Sequence, residues 1–179
     1  MSEHVSVYIT EEQIRSRVEE LGKEITKDYA ASPRKLLMVA ILKGSVVFLT
    51  DLMRACKDLP LAIDFMIISS YGSGTTSKGN VKIIKDLDIN ISEYDILIVE
   101  DILDSGYTLS KVIEMLKTRN PGSLKICAML NKPERRVAKV DLDYCGFEIE
   151  DKFVVGYGLD YDEKYRNLPY IGIVDFDKE

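Results

Sequence analysis

Hydrophobic positions along the chain follow two periods, and the period changes at short polar breaks. Val5, Val7 and Ile9 alternate with other residues, the spacing of a short strand. Thr10-Glu11-Glu12-Gln13 has the form of a capping box, and Ile14, Val18, Leu21 and Ile25 follow at helical spacing. Ser32-Pro33 ends that segment, and residues 36–42 form an unbroken apolar run, as in a strand covered on both faces. Lys43-Gly44-Ser45 interrupts the run before residues 46–56 read as a helix. Residues 62–69 and 81–85 are strand candidates on either side of 70–80, a stretch rich in Gly, Ser and Thr that reads as a protruding flexible loop. Residues 96–99 predict a short buried strand, 100–108 a polar segment, and Leu109, Val112, Ile113 and Leu116 one helical face, which Pro121-Gly122 stops. Residues 124–130, 153–155 and 170–174 complete the predicted strands.

Strands alternating with helices imply an α/β fold with a doubly wound, mainly parallel sheet and right-handed crossovers. No repeat, low-complexity tract or linker divides the 179 residues, so 1–179 is expected to form a single domain. Ligands of such sheets bind at the carboxyl ends of the strands, around a topological switch point. The polar segments after residues 42, 69, 99 and 130 are therefore the candidate sites.

Charge and composition narrow the chemistry. With 24 basic and 30 acidic side chains, the net charge of −6 argues against a nucleic acid as the main partner. The single histidine, His4, lies in the first few residues, where termini usually fray, which makes a Ser-His-Asp triad, a Cys-His dyad or a His-built zinc site improbable. Cys56, Cys127 and Cys145 lie far apart with no CxxC, as expected of reduced thiols in a cytosolic protein. The longest apolar run is too short to span a bilayer and no signal peptide is visible, so a soluble cytoplasmic protein without a membrane partner is expected. Chemistry must then come from carboxylates, lysines, backbone amides or a hard metal ion.

The segment from Ile96 to Thr108 is the most informative. A buried strand feeds Glu100 and Asp101, Asp104 follows, and Ser105-Gly106-Tyr107-Thr108 turns into a helix. Adjacent carboxylates beyond a buried strand repel and lose hydration unless a cation or a hydroxyl-bearing ligand meets them. The orphan amides of the helix start, helped by the Ser and Thr hydroxyls, suit a phosphate monoester. Together the two devices suit a sugar phosphate, whereas an isolated stretch of this kind would read as a solvated acidic N-cap.

Residues 99–108 resemble the phosphoribosyl-diphosphate (PRPP) signature of type I phosphoribosyltransferases. Leu42-Lys43-Gly44-Ser45, Ser70-Tyr71-Gly72, residues 151–161 and Tyr165-Arg166-Asn167-Leu168-Pro169 narrow the resemblance to the hypoxanthine-guanine phosphoribosyltransferases, in the expected order from Leu36 to Val174. The resemblance implies a small C-terminal hood over a purine site, built from the N-terminal and C-terminal segments, and an active-site loop at about 70–80. It also implies transfer of 5-phosphoribosyl from PRPP to N9 of hypoxanthine or guanine, giving IMP or GMP and pyrophosphate, with Mg2+ as cofactor.

By the same resemblance, Glu100 and Asp101 hold the ribose hydroxyls with magnesium nearby, and Asp104, Ser105, Gly106, Tyr107 and Thr108 bind the 5-phosphate. Asp104 matches the proton-transfer group near N7 of the purine, although a carboxylate there could instead cap the turn. Lys43 and Gly44 match the pyrophosphate loop, whose Leu42-Lys43 bond can be a non-proline cis peptide in this family, and Arg166 is a second pyrophosphate contact. Ser70 and Tyr71 match the mobile loop that closes over the reaction centre. Lys132 matches the donor to the 6-oxo group, Phe153 the stacking ring, Val154 a backbone reader of the purine edge, and Asp160 a magnesium ligand beside the base. A strand Phe at 153 would otherwise simply be core, and Lys43 and Arg166 would otherwise be surface cations.

Two alternatives share the fold: a xanthine-preferring phosphoribosyltransferase, and a regulatory homologue that binds RNA. The second wants a basic face, and the cluster Lys132, Glu134, Arg135, Arg136 and Lys139 is short. A homodimer or homotetramer is the expectation from the family.

Overall fold

The structure, a computed structural model, describes residues 3–70 and 81–176. β1 (Glu3–Ile9) leads through Thr10 into α1 (Glu11–Tyr29). The capping box forms: the Gln13 amide donates to the Thr10 hydroxyl at 3.2 Å, and the Thr10 amide donates to Gln13 Oε1 at 2.9 Å. β2 (Lys35–Leu42) and α2 (Val46–Ala55) follow, then the hairpin-like pair β3 (Leu61–Ser70) and β4 (Val81–Lys85). Next come β5 (Tyr94–Leu103), α3 (Tyr107–Lys117), β6 (Ser123–Asn131), β7 (Tyr144–Glu148), β8 (Val154–Val155) and β9 (Ile171–Phe176).

Six strands form the central sheet in the order β4-β3-β2-β5-β6-β7, with all neighbours parallel except the β3–β4 pair. Both faces are covered. Leu36, Met38 and Ala40 of β2 and Leu97 and Val99 of β5 pack with α1 and α2, through Leu21, Phe48 and Leu52 among others. Leu37, Val39, Ile96 and Ile98 face the other way, against Leu109, Val112 and Leu116 of α3. This period-two division of fully buried strands explains why residues 36–42 and 96–99 read as continuous apolar runs.

From β2 the chain winds outward to β3, whereas from β5 it winds outward to β6 and β7 on the other side. The switch point therefore lies between β2 and β5, and their carboxyl ends open there. A second sheet, β1-β9-β8, is antiparallel, pairing Val5 with Val174 and Val154 with Ile173. Ile9, Val154 and Ile171 bury it against the α1/α2 side of the core.

Four expectations change. Residues 100–103 are not a polar loop but the end of β5, because Ile102 and Leu103 continue the apolar pattern and pair with Leu130 and Asn131 of β6. β7 was not foreseen: Tyr144-Cys145-Gly146-Phe147-Glu148 is a short edge strand, and its glycine interrupts the strand pattern. Phe153 lies outside β8 and Tyr170 outside β9. The thiols stand as expected: all three are free, and burial pushes Cys56 up to about 11 and raises Cys127, so neither is a nucleophile. Among the described residues, no helix is long and apolar enough to cross a membrane.

Candidate active site

At the carboxyl end of β2 the Leu42-Lys43 peptide is cis, and the Ser45 hydroxyl donates to the Ile41 carbonyl at 2.5 Å, closing a compact turn. That turn lies directly against the end of β5. A Cβ on Gly44 would collide with the Asp101 carboxylate, and a Cβ on Gly158 with the Gly44 carbonyl oxygen. Gly158 also has φ +102, so this approach of three backbone segments requires glycine at both positions.

The third segment is the loop 156–166. Tyr157, Asp162, Glu163 and Tyr165 all hold left-handed backbone, with φ between 50 and 74°. Such conformations persist only where surrounding contacts over-determine them, and they gather at functional sites. Here the contacts are visible. Arg166 Nη1 donates to the Gly158 carbonyl at 2.8 Å, its Nη2 lies 2.7 Å from Asp160 Oδ1, and the Gly158 amide donates to the Arg166 carbonyl. The Glu163 amide donates to Asp160 Oδ2, and the Tyr157 hydroxyl to Asp51 Oδ2, each at 2.9 Å. Lys43 Nζ donates to both Glu163 oxygens at 3.1 Å, and Glu163 Oε2 is 3.4 Å from Arg166 Nη2. The two expected pyrophosphate cations thus converge on one carboxylate. Arg166 Nε is buried with no hydrogen-bond partner, leaving that guanidinium a donor in reserve.

Glu100 and Asp101 are partly accessible but desolvated by the protein packed around them. Burial, then repulsion from Asp101, raises the Glu100 carboxyl well above its ordinary value. Burial pushes Asp101 up to about 6, against the amide of Ile102 and the nearby Arg166, which favour its ionised form.

A second group of residues gathers around Asp104. Lys132, only 7% exposed, extends from the end of β6; its Nζ donates to the Lys152 carbonyl at 2.6 Å and lies 3.4 Å from Asp151 Oδ1. Arg135 Nε lies 2.7 Å from Asp104 Oδ1, which accepts no well-aligned hydrogen bond, so the contact is an ion pair. Arg136 donates to the carbonyls of Asp104 and Leu103 and to Asn131 Oδ1. Phe153 is 51% exposed, and its ring meets Tyr161 edge-on with centroids 5.6 Å apart. It is therefore not a core residue but an exposed ring, next in the chain to Lys152, whose carbonyl takes the Lys132 ammonium. Val154 is buried and its backbone is paired with β9.

Between the two groups, Gly106 caps the start of α3, and the Ser105 carbonyl accepts from the amides of Val137 and Ala138, each at 3.0 Å. Those bonds fix the turn 105–108, so that the first amides of α3, which have no partner inside the helix, sit just past the β5 carboxylates. Ser70 ends β3, but its side chain and all of Tyr71 lie outside the described residues.

Residues 8–162 match the family model described as a phosphoribosyl transferase domain. The chain belongs to the phosphoribosyltransferase domain family. It is 54% identical to a hypoxanthine phosphoribosyltransferase of Buchnera aphidicola, over 99% of this chain and 100% of that one. A hypoxanthine-guanine phosphoribosyltransferase of Mycobacterium avium is 53% identical over 95% of this chain and 85% of that one. A crystal structure of a hypoxanthine phosphoribosyltransferase from Staphylococcus aureus superposes with a TM-score of 0.90 at 50% identity, covering 95% of this chain and 91% of that one.

Within this phosphoribosyltransferase, Asp151, Arg135, Arg136 and Glu163 contact the expected site residues Lys132, Asp104 and Lys43, and the sequence does not single them out. The cluster at 132–139 reads only as a short basic stretch around Lys132, and nothing in its spacing shows that Arg135 and Arg136 contact Asp104. The donors expected for magnesium can be weighed against the geometry. Among the described residues no three His, Cys, Asp or Glu are arranged to hold a metal ion, and Asp160 is engaged by Arg166. The desolvated pair Glu100 and Asp101 nevertheless fits a hard cation that brings substrate phosphates and water in its own shell.

Proposed function

We propose that this phosphoribosyltransferase transfers the 5-phosphoribosyl group of PRPP to N9 of hypoxanthine or guanine, releasing pyrophosphate and forming IMP or GMP in purine salvage. The observation that carries this reading is a buried lysine, Lys132, bonded to the carbonyl of Lys152, the neighbour of the exposed ring Phe153, and linked through Asp151 and Arg135 to the Asp104 carboxylate that follows β5. A 6-oxopurine stacked on Phe153 can accept from Lys132 through its oxo oxygen. Adenine would place an amino donor there and leave the ammonium unpaired. The names of relatives more than 50% identical over nearly the whole chain support the same substrate class.

PRPP lies across the switch point. The turn at 105–108 and the start of α3 take the 5-phosphate, Glu100 and Asp101 the ribose hydroxyls, and Lys43 with Arg166 the diphosphate. Asp160 helps hold the diphosphate end through Arg166. N9 attacks C1′ as the C1′–O bond to pyrophosphate breaks, and the N7 proton passes to Asp104. The chain supplies orientation and charge stabilisation and needs no covalent intermediate. Magnesium, when bound with the diphosphate, supplies positive charge that a protein of net charge −6 lacks; Glu100 and Asp101 would hold it, with Asp160 in reach once Arg166 releases it.

The protein is cytoplasmic in this reading, with small molecules rather than nucleic acid as partners, since Arg135 and Arg136 are already engaged by Asp104. It is a homodimer or homotetramer, as the resemblance implies; size-exclusion chromatography with light scattering tests that state. The function is tested by incubating the purified protein with PRPP and magnesium plus hypoxanthine, guanine, xanthine or adenine. Nucleotide forms with hypoxanthine or guanine and not with adenine. No product with any base overturns the reading, and xanthine far above the others changes the substrate but keeps the mechanism.

A further inference from the structure

We propose that Arg135 is a positioning residue for the transfer reaction, tying the Asp104 carboxylate to the Asp151–Lys132 pair so that proton acceptor and oxo donor are set as one unit. The inference rests on the reading of Asp104 as the group that takes the N7 proton.

Four alternating charges line up. Arg135 Nε lies 2.7 Å from Asp104 Oδ1, Arg135 Nη1 lies 3.4 Å from both oxygens of Asp151, and Asp151 Oδ1 lies 3.4 Å from Lys132 Nζ. On a 6-oxopurine, N7 and the oxo oxygen are neighbours on one edge, so Asp104 and Lys132 must keep a fixed separation to serve both atoms at once. A planar guanidinium with five donors can hold two carboxylates in one arrangement, which an ammonium cannot.

The anchorage of Arg135 is also rigid. It ends the single 3-10 turn Pro133–Arg135, its amide donates to the Lys132 carbonyl at 3.2 Å, and the Arg136 amide donates to the Pro133 carbonyl at 3.1 Å. Arg136 holds the backbone of the same aspartate through the Asp104 carbonyl, at 3.0 Å. One arginine thus fixes the main chain of Asp104 and its neighbour fixes the side chain. The charged groups around Asp104 are Arg135 and Arg136 from this turn, Asp151 and Lys132 behind Arg135, and Glu100 and Asp101 along its own strand. Of these, Arg135 makes the direct contact with the carboxylate. The diphosphate cations Lys43 and Arg166 belong to the other group of residues, so losing Arg135 leaves PRPP binding in place.

The test is a double-mutant cycle on the full chain, read by steady-state kinetics. Arg135→Gln lowers kcat about three- to tenfold and keeps the KM for PRPP within about twofold. Arg135→Lys, which keeps a charge but loses the fork, falls between Gln and the parent. In an Asp104→Asn background, Arg135→Gln costs nothing further. Full loss from Arg135→Gln in that background, or an unchanged kcat in Arg135→Gln alone, overturns the proposal while leaving the Asp104 reading intact. Parent-like turnover of Asp104→Asn alone removes the Asp104 reading and the inference with it. Faster turnover by Arg135→Gln makes the arginine a competitor of the base, which also overturns it. Should Arg135→Gln fail to fold, kcat and the KM for PRPP of Arg135→Lys decide.

Discussion

The Asp101 carboxylate occupies the space a side chain on Gly44 would need, with its Cγ 2.7 Å from the position of that missing Cβ. Gly44 follows β2 and Asp101 lies near the end of β5, the two strands that flank the switch point. The contact joins the turn expected to hold diphosphate to the carboxylate expected to hold ribose. Gly158 packs on the far side of Gly44, so the C-terminal loop that carries Asp160, Glu163 and Arg166 is seated on the same turn. One methyl group at residue 44 would therefore disturb three parts of the site at once.

Gly44→Ala is the sharpest probe of this arrangement. Overpacking of this kind costs about 1–3 kcal/mol, and here the displaced group is a functional carboxylate. We expect turnover to fall at least about tenfold and the thermal midpoint by about 2–12 °C. Steady-state kinetics and a thermal melt check both. Parent-like values for each would mean that the turn has room the structure does not show.

Asp101 should cost the protein stability where it serves function. Its carboxyl is pushed up to about 6 by burial. A carboxyl raised in the fold binds its proton more tightly folded than unfolded. Its contribution to stability is therefore greatest below the unfolded value of about 3.9 and is lost as pH rises through 6. Asp101→Asn removes that loss. The variant should melt higher than the parent at pH 7.5, by a larger margin than at pH 4.5, while turnover falls about a hundredfold or more. An equal margin at both pH values would show that Asp101 is not strained by burial.

Much of this arrangement is legible in the chain, for identifiable reasons. The buried runs at 36–42 and 96–99 and the helix faces at Ile14–Ile25 and Leu109–Leu116 rest on burial periodicity, which each segment carries locally. The carboxylates of β5 and the turn at 105–108 rest on motif spacing. What the chain hides is partnership across distance. β7 exists because β6 offers an edge to Tyr144–Glu148, not because that segment alternates. Glu163 is an exposed acid until loop 156–166 folds back over Lys43, and Arg135 is a surface cation until Asp104 and Asp151 flank it. Periodicity alone makes Phe153 a core strand residue, and only the resemblance marks it as a stacking ring; it stands outside β8 with half its surface exposed.

That exposure makes Phe153 a base platform open to a direct test. Stacking of a base on an aromatic ring is worth about 1–3 kcal/mol by alanine substitution. Phe153→Ala should raise the KM for hypoxanthine about 5- to 150-fold and leave the KM for PRPP within about twofold. Because Phe153 also meets Tyr161, Phe153→Leu, which keeps apolar bulk without a π face, separates packing from stacking. Full recovery by Leu would assign the ring to packing.

Glu163 answers how an acidic protein keeps two cations ready for an anionic substrate. Its carboxylate receives Lys43 through both oxygens and lies near Arg166, which also pairs with Asp160. These two cations hold the Glu163 carboxyl below its usual range. A diphosphate arriving at Lys43 must displace this carboxylate, so the pair opposes binding even as it orders the lysine. Lys43 and Glu163 are 67% and 64% exposed, which limits the effect to that of a surface ion pair. Glu163→Gln should then tighten pyrophosphate about two- to fivefold at low salt, measured by product inhibition. The gain should shrink as ionic strength rises, because the competing attraction is screened. Weaker pyrophosphate binding by Glu163→Gln would mean that holding Lys43 in place matters more than freeing its charge.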